Sequence, residues 1–521
     1  PPPPPLPFSR SFLDQDRDFN GFTYGNMYQD LWQNSTAVAD ELATNAKLTA
    51  VVRDITTHHR VVASPANPTP VWLKDMLVNQ WSHFHMLMWY RDGRLREYEA
   101  WSCDDVDSVH NDYQRHLLYL WAFPEFELNK MEAWSSFAQD AKDGHIWESL
   151  GYTKTGQAMD VGGGRLMGDT TTLYLIEMYE LLLHRGDVAW LREKWPSARR
   201  AVVWMIDNAE QGRGLPQFLQ TTYDHFGFDK RPMVVYNAHI YLTALYAVGA
   251  MADVLGDANM STWVAAAGKA GAAKLTRAAE DGGPLWNKTK AFFLAHSETN
   301  TQVFTDTLYG QMLSHHIANG SFTLPTKYLS SHLAYEWAEN VDLYGMRVLS
   351  SPIQEDSIWM NGPPTWTYLQ LAIGELNASM ALEPLRRMSE NFRSRINDMW
   401  NLRALTHTQT EGTELEHGQP REQGHYAFML TDLFLLPLLS GQAVNMVEGA
   451  LTLAPKFDAP YCVPVLIAGC EATLAATSAG RFTIVVAFGE LKLAPRGLVA
   501  SECVYPDAVW LRGGESLEWS C

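Results

Sequence analysis

Residues 97–116, EYEAWSCDDVDSVHNDYQRH, gather six carboxylates, two histidines and a cysteine between two apolar stretches. An ordinary solvated loop dilutes such groups with Gly, Ser and Pro. Acid–base bond cleavage needs two carboxyls, one to give a proton and one to attack or to activate water. The first candidate set is Glu97, Glu99, Asp104, Asp105, Asp107 and Asp112. A second is Asp306 in TQVFTDTLYGQM, just ahead of an amphipathic helix, where an N-cap role explains it equally well. A third is QEDSIWMNGPPTW, residues 354–366, with acids set among Gly, Pro and Trp like a sugar-stacking loop. Tyr223-Asp224-His225 is the fourth. Spacing alone prefers none of the four, and solvated loop acids account for most of the first set.

Other chemistries are less well served. His58-His59 and His315-His316 are adjacent pairs, so on a helix their side chains diverge by about 100° and cannot chelate together. There is no CxxC or HExxH, and no Ser in a G-x-S-x-G elbow. GGGR at 162–165 lacks the ending of a phosphate loop and reads as a turn. No metal and no cofactor is expected.

The elements that must position these acids are helical from Tyr28 to about Gln442. Apolar residues recur at three and four in VWLKDMLVNQWSHFHMLMWY, TLYLIEMYELLLHRGD and VVYNAHIYLTALYAVGAMADVLGD. Gly186-Asp187, Gly256-Asp257 and Asn319-Gly320 supply the stops. About a dozen helices paired through short loops predict a mainly α fold, an (α/α)6 toroid around a central pocket. After Gly449 the period changes to short β-branched runs, as in CVPVLIAGCEATLAATSAGRFTIVVAFGELKLAP. The expected organisation is a proline-rich extension over 1–20, a toroid domain over 21–445 and a small β module over 446–521.

Composition narrows the partners. A formal net charge of −19 with no basic tract argues against nucleic acid. No apolar run reaches the roughly 20 residues of a membrane helix, and FMLTDLFLLPLLSG, with Asp432 and Pro437, reads as a buried helix. Four of the five cysteines lie in the last sixty residues, which permits disulfides there. Sequons at Asn34, Asn259, Asn287, Asn319 and Asn377 favour a secreted or luminal protein, with a cytoplasmic, membrane-peripheral one as the alternative. The opening PPPPPLP reads as a junction, so a processed piece of a longer precursor is expected.

Several collinear motifs carry a resemblance. TPVWLKDMLVNQ (69–80), LIEMYELLLHRGDVAWLREKWPSARRAVVWM (175–205), GLPQFLQTTYDHF (214–226) and WAFPEFEL (121–128) are similar, in order, to segments of glycoside hydrolase family 116. That family comprises the non-lysosomal glucosylceramidases and related β-glucosidases. Its acid/base Asp lies in Ser-Asp-Gln-x-x-Gly-Gln-Trp, which residues 305–312, TDTLYGQM, resemble. Counting back from WAFPEFEL without gaps puts the family's nucleophile on Glu99. Allowing for two added residues puts it on Glu97. Glu99 is preferred because Ala100 and Trp101 follow it.

The resemblance implies a retaining β-glucosidase, with Glu99 as nucleophile and Asp306 as acid/base. Asp107 or His110 would grip the sugar, Trp101 would form a wall, and Tyr223, Asp224, Asp356 and Trp359 would complete the subsite. The implied substrate is a carbohydrate or glycolipid. An N-terminal β domain of the same precursor is the implied intramolecular partner. Departures occur where a family Glu becomes Ser357 and where Met-Arg-Pro becomes Met429-Leu430-Thr431. They leave two alternatives: an inactive carbohydrate-binding or structural glycoprotein, and an inverting glucosidase of a related toroid family, suggested by WMNGPPTW.

Overall fold

In a computed structural model the apolar periodicities resolve into two kinds of helix. Residues 18–521 are described, except 20–21, 24–30, 82, 84–86, 90–94, 98, 100–104, 153–156, 159–165, 212, 224–227, 229–230, 300, 351–356, 398–403, 407–416 and 423–425. Helices α1 (Ser35–Thr44), α2 (Ala46–Ala63) and α3 (Val71–Asn79) come first. Next are α4 (Val109–Ala122), α5 (Pro124–Ala133), α6 (Gly168–Arg185), α7 (Val188–Gln211), α8 (Val235–Leu255) and α9 (Ala258–Thr276). The last are α10 (Tyr309–Ile317), α11 (Thr326–Asn340), α12 (Gly362–Ile373), α13 (Glu383–Arg395) and α14 (Leu435–Ser440), the last led in by a 3-10 turn over Ala427–Phe434.

Helices α4, α6 and α8 are buried along almost every turn, polar positions included. A helix buried all round must be enclosed by others. Accordingly α4 packs on α6, α6 on α8, α8 on α10, α10 on α12, α12 on the 427–434 turn, and that turn back on α4. The second kind buries one stripe. In α7 the buried set is Leu191, Trp195, Ala198, Ala201, Val202, Met205, Ile206 and Ala209, at helical spacing. Each of these outer helices backs an inner one: α5 on α4, α7 on α6, α9 on α8, and α11 and α13 on α12. Fully burying a Leu or Ile contributes roughly 1.5–3 kcal/mol, so the two layers hold each other. Helix α8 is also long and apolar enough to cross a membrane, but most of it is packed inside the protein.

The expectation of almost unbroken helix up to Gln442 is corrected. Short hairpins lead into the inner helices, among them β1 (Leu95–Glu97), β2 (Asp105–Val106) and β3 (Ser357–Trp359). Two- and three-residue strands are too short to print an alternation on the sequence.

From Gln442 onward the chain is strand: β4 (Gln442–Asn445), β5 (Ala450–Leu453), β6 (Tyr461–Ile467), β7 (Cys470–Ser478) and β8 (Arg481–Phe488). Then follow β9 (Glu490–Leu493), β10 (Leu498–Ala500), β11 (Cys503–Tyr505), β12 (Val509–Arg512) and β13 (Ser516–Ser520). They form sheets ordered β4-β5-β10-β11 and β6-β7-β8-β13, plus the pair β9-β12. Their apolar cluster is separate from that of the helices. Cys503 and Cys521 form a disulfide there, while Cys462 and Cys470 are free thiols. The sheets sit on the helices through α14 against β6, a Gly469 N–H to Trp121 carbonyl bond, and His58 on α2 against Glu471 at 3.0 Å.

Candidate active site

The strand carrying Glu97 and Glu99 runs antiparallel to 105–107. Glu99 N–H donates to Asp105 O, Asp107 N–H to Glu97 O, and Glu97 N–H to Asp107 Oδ1. This pairing sets Glu97 opposite Asp107 and Glu99 opposite Asp105, four acids on two adjacent segments. Like charges placed opposite one another repel. The structure answers with cations: Arg96 lies 3.3 Å from Asp107, Arg115 lies 2.8 Å from Glu97, and Lys130 stands 3.8 Å from Glu97 and 3.1 Å from Glu127. Arg115 also pairs with Asp112. All of these side chains are buried.

Glu97 and Glu99 are thereby separated by environment. Glu97 accepts from the Tyr119 hydroxyl and lies 2.9 Å from His83. Burial would raise its pKa, but Arg115, His83 and Lys130 together hold the carboxyl down at about 2. Asp112 is pushed up to about 7, burial outweighing Arg115 and Lys130. Glu99 makes no hydrogen bond through its carboxyl to any described residue; its nearest charged neighbour is His110 Nε2 at 3.9 Å. Removing one partner from a buried ion network costs about 3–5 kcal/mol. Arg115→Met is therefore expected to destabilise the fold by that amount in denaturant titration, since it orphans both Glu97 and Asp112.

Asp107, expected to grip a ligand, is turned inward. It is fully buried in the left-handed region at φ 47°, its carboxyl faces Arg96, and its carbonyl accepts from Trp134 Nε1 at 2.9 Å. Asp105, expected to be solvated, is buried too and accepts from the Ser149 hydroxyl at 2.9 Å. In both cases the strand pairing draws the acid beneath the hairpin.

Asp306 is the second centre. Its carboxyl is buried and caps no helix, because α10 begins at Tyr309. Two glycines set its position by close approach. A Cβ on Gly310 would lie 2.3 Å from the His239 carbonyl carbon, and one on Gly362 would lie 2.5 Å from Thr305 Cγ2. Only hydrogen there lets α10 press onto α8 and the start of α12 press onto the Asp306 loop. Tyr223 Oη donates to Asp306 Oδ2 at 2.6 Å, and Asn361 Nδ2 donates to the same oxygen at 3.2 Å and to Tyr223 Oη. Oδ1 has no hydrogen-bond partner among the described residues. Burial raises this carboxyl to about 6, with the hydroxyls of Tyr223 and Thr365 holding it back. Tyr223→Phe is expected to push it higher, because a donor to the ionised form is lost. The basic limb of a pH–rate profile should then move to higher pH.

Tyr223 precedes α8, Asp306 precedes α10 and Asn361 precedes α12, so the N-terminal ends of inner helices converge here. Each end carries about half a positive charge, which favours an anion developing at this face. Trp359 lies 4.9 Å from the Tyr223 ring and stacks on Phe428 at 5.2 Å. The expected sugar-stacking loop is instead strand β3 followed by helix α12, where Trp366 is buried against Trp337. Trp101, Asp224 and Asp356 lie outside the described residues.

Sequence reading missed Asn361, Thr365 and the Arg96–Arg115–Lys130 set. Cations within an acid-rich segment were the available signal. Among the described residues one group, Asp140, Asp143 and His145, is close enough to hold an ion. Its members are occupied by their own turn: Asp140 Oδ1 accepts from the Lys142 and Asp143 N–H groups, and Asp143 Oδ1 accepts from His145.

Two solved structures share this arrangement of elements. One is a GH78-family rhamnosidase of Bacillus sp. GL1, with TM-score 0.52 and 13% identity, over 83% of this chain and 42% of that one. The other is a sialidase, with TM-score 0.54 and 11% identity, over 81% of this chain and 39% of that one. The chain shares the fold of these two proteins over most of its own length. It spans about two-fifths of the length of these neighbours. No family model matches it, and no curated protein matches it by sequence.

Proposed function

We infer that the chain is a retaining β-glycosidase directed at β-glucosides, built on an (α/α)6 toroid with a C-terminal β module. The cyclic packing of the inner helices supports the toroid. The separate apolar cluster of the strands supports dividing the chain into 21–445 and 446–521. The observation that carries the reading is Asp306: a buried carboxyl with one oxygen fixed by two donors and the other without a partner among the described residues, raised towards neutrality. That is the condition of a general acid.

Around the helix cycle, α4 and α10 are opposite members, so the Glu97–Glu99 hairpin and the Asp306 loop approach from opposite sides. Glu99 attacks the anomeric carbon and displaces the aglycone, whose oxygen takes the proton from Asp306 Oδ1. Asp306, now ionised, removes a proton from water, and the hydroxide carbon bond replaces the bond to Glu99. Glu97 is an anchor in this scheme, since Arg115, His83 and Tyr119 already hold its carboxylate. The test is labelling with a 2-fluoro-β-glucosyl fluoride followed by peptide mapping. An adduct on Glu99 supports the assignment, one on Glu97 moves the nucleophile by two residues, and no adduct with no turnover removes the activity.

One observation favours an inactive carbohydrate-binding member as the second reading. Ser357 Oγ is engaged by Trp359 Nε1 at 3.1 Å and Leu430 is fully buried, so neither position reads a sugar hydroxyl. A secreted or luminal location is consistent with the Cys503–Cys521 disulfide, because disulfides persist in oxidising compartments.

A further inference from the structure

The opposite ends of the inner helices hold a crevice that the proposed reaction does not use. Two lobes of about 210 and 280 Å³ meet where α10 ends against strands β4 and β5, sharing His316, Asn319, Ala443 and Thr452. Together they fall within the roughly 300–1,000 Å³ of small-molecule sites. Helix α10 rises about 12 Å from Tyr309 to Ile317, so its length separates the crevice from Asp306.

The polar groups lining it are held but not saturated. His316 Nε2 lies 2.7 Å from Glu180 Oε1, and its Nδ1 makes no hydrogen bond to any described residue. Glu180 is fixed in turn by the Tyr113 hydroxyl and by His116 Nε2, each at 2.9 Å. His116 Nδ1 faces the Tyr113 carbonyl at 2.6 Å, so both of its nitrogens donate and it is an imidazolium. Accordingly its pKa is raised, Glu180 outweighing burial, and that of Glu180 is lowered by His116 and His316 despite burial. His315 Nδ1 is engaged by Tyr368 Oη at 2.9 Å, leaving Nε2. The side chains of Asn319, Thr452 and Lys456 make no hydrogen bond to any described residue.

Field and chemistry together choose the ligand. Helix C-termini carry about half a negative charge each and, with Glu448 on the second lobe, repel anions, while the Lys456 ammonium on the first, unpaired among the described residues, repels cations. Mixed free donors and acceptors with no net preference for charge fit a hydroxyl-rich neutral molecule. In the second lobe the rings of Tyr179 and Tyr246 offer apolar faces to a sugar. The geometry points to an accessory binding site for a neutral mono- or disaccharide at the seam between the helices and the β4–β5 hairpin. Its naming as a saccharide site leans on the glycosidase reading; its existence does not.

The probe is cellobiose, titrated by calorimetry into the full chain carrying Asp306→Asn, made in bacteria so that Asn319 bears no glycan. The expected result is saturable binding that perturbs the imidazole signals of His315 and His316 in histidine-labelled protein. Thr452→Val and Lys456→Met, each added to that chain, should weaken it at least fivefold while leaving aryl glucoside turnover of the otherwise wild-type enzyme unchanged. Absence of saturable binding, binding untouched by both substitutions, or glucuronate binding as tightly as cellobiose overturns the proposal. If the wild-type enzyme shows no turnover but the histidine signals still shift, the catalytic reading fails and the crevice stands.

Discussion

Asp306→Asn lowers kcat/KM for 4-nitrophenyl β-glucoside by about 10²–10⁴-fold, the range that a positioned proton donor contributes. An amide keeps the shape and still accepts from Tyr223, so folding survives and the loss is chemical. Sodium azide should restore turnover by attacking the glycosyl intermediate without needing a base. The pH dependence carries its own signature. With the carboxyl held at about 6, the proton needed for leaving-group departure is present below that value and lost above it. Wild-type kcat/KM therefore falls as pH rises through about 6, and Asp306→Asn abolishes that limb.

Stability moves the other way. A carboxyl raised from 3.8 to about 6 contributes stability that is complete below pH 3.8 and lost as pH rises through 6. At pH 8 Asp306→Asn should therefore be more stable than wild type, by up to about 3 kcal/mol in denaturant titration. An active, pH-unaltered variant would remove Asp306 from the mechanism.

Glu99→Gln is expected to cost more, at least about 10³-fold in kcat, or about 4 kcal/mol of barrier. No other group can form the covalent intermediate if Glu97 is locked. The comparison with Glu97→Gln separates the two roles. Glu97→Gln removes one anionic partner each from Arg115 and Lys130, so it should lower the unfolding midpoint as well as activity. Glu99→Gln should leave the midpoint alone, because its carboxyl bonds to no described residue. A Glu99→Gln enzyme with full turnover would transfer the nucleophile role elsewhere.

Legibility followed periodicity. The all-round apolar helix over 235–255 and the change of period after 449 are long enough patterns to be read directly, and both stand in the structure. The hairpins around Glu97 and Ser357 left no pattern, since strands of three residues are too short to show an alternation and Ser357–Trp359 pairs with the distant Ala404–Thr406. Asp306 was legible as an acid ahead of a helix, but its two donors come from Tyr223 and Asn361, 83 and 55 residues away. No spacing rule brings those together. Asp107, to which the resemblance gave a sugar-gripping role, has surroundings that were hidden for a related reason: nothing in its own segment announces that Arg96 and its neighbours enclose it.

The return of the 427–434 turn onto α4 has a consequence for the chain as it emerges from the ribosome. Every inner helix but the last can be made while the cycle stays open, with the polar flank of α4 facing water. Only when Phe434 stacks beside Tyr113 and His116 is the gap sealed. Contacts across so long a stretch of sequence form slowly and late. The helix cycle is thus completed only when nearly all of the chain has been synthesised, and a ribosome stalled before residue 427 would hold it open.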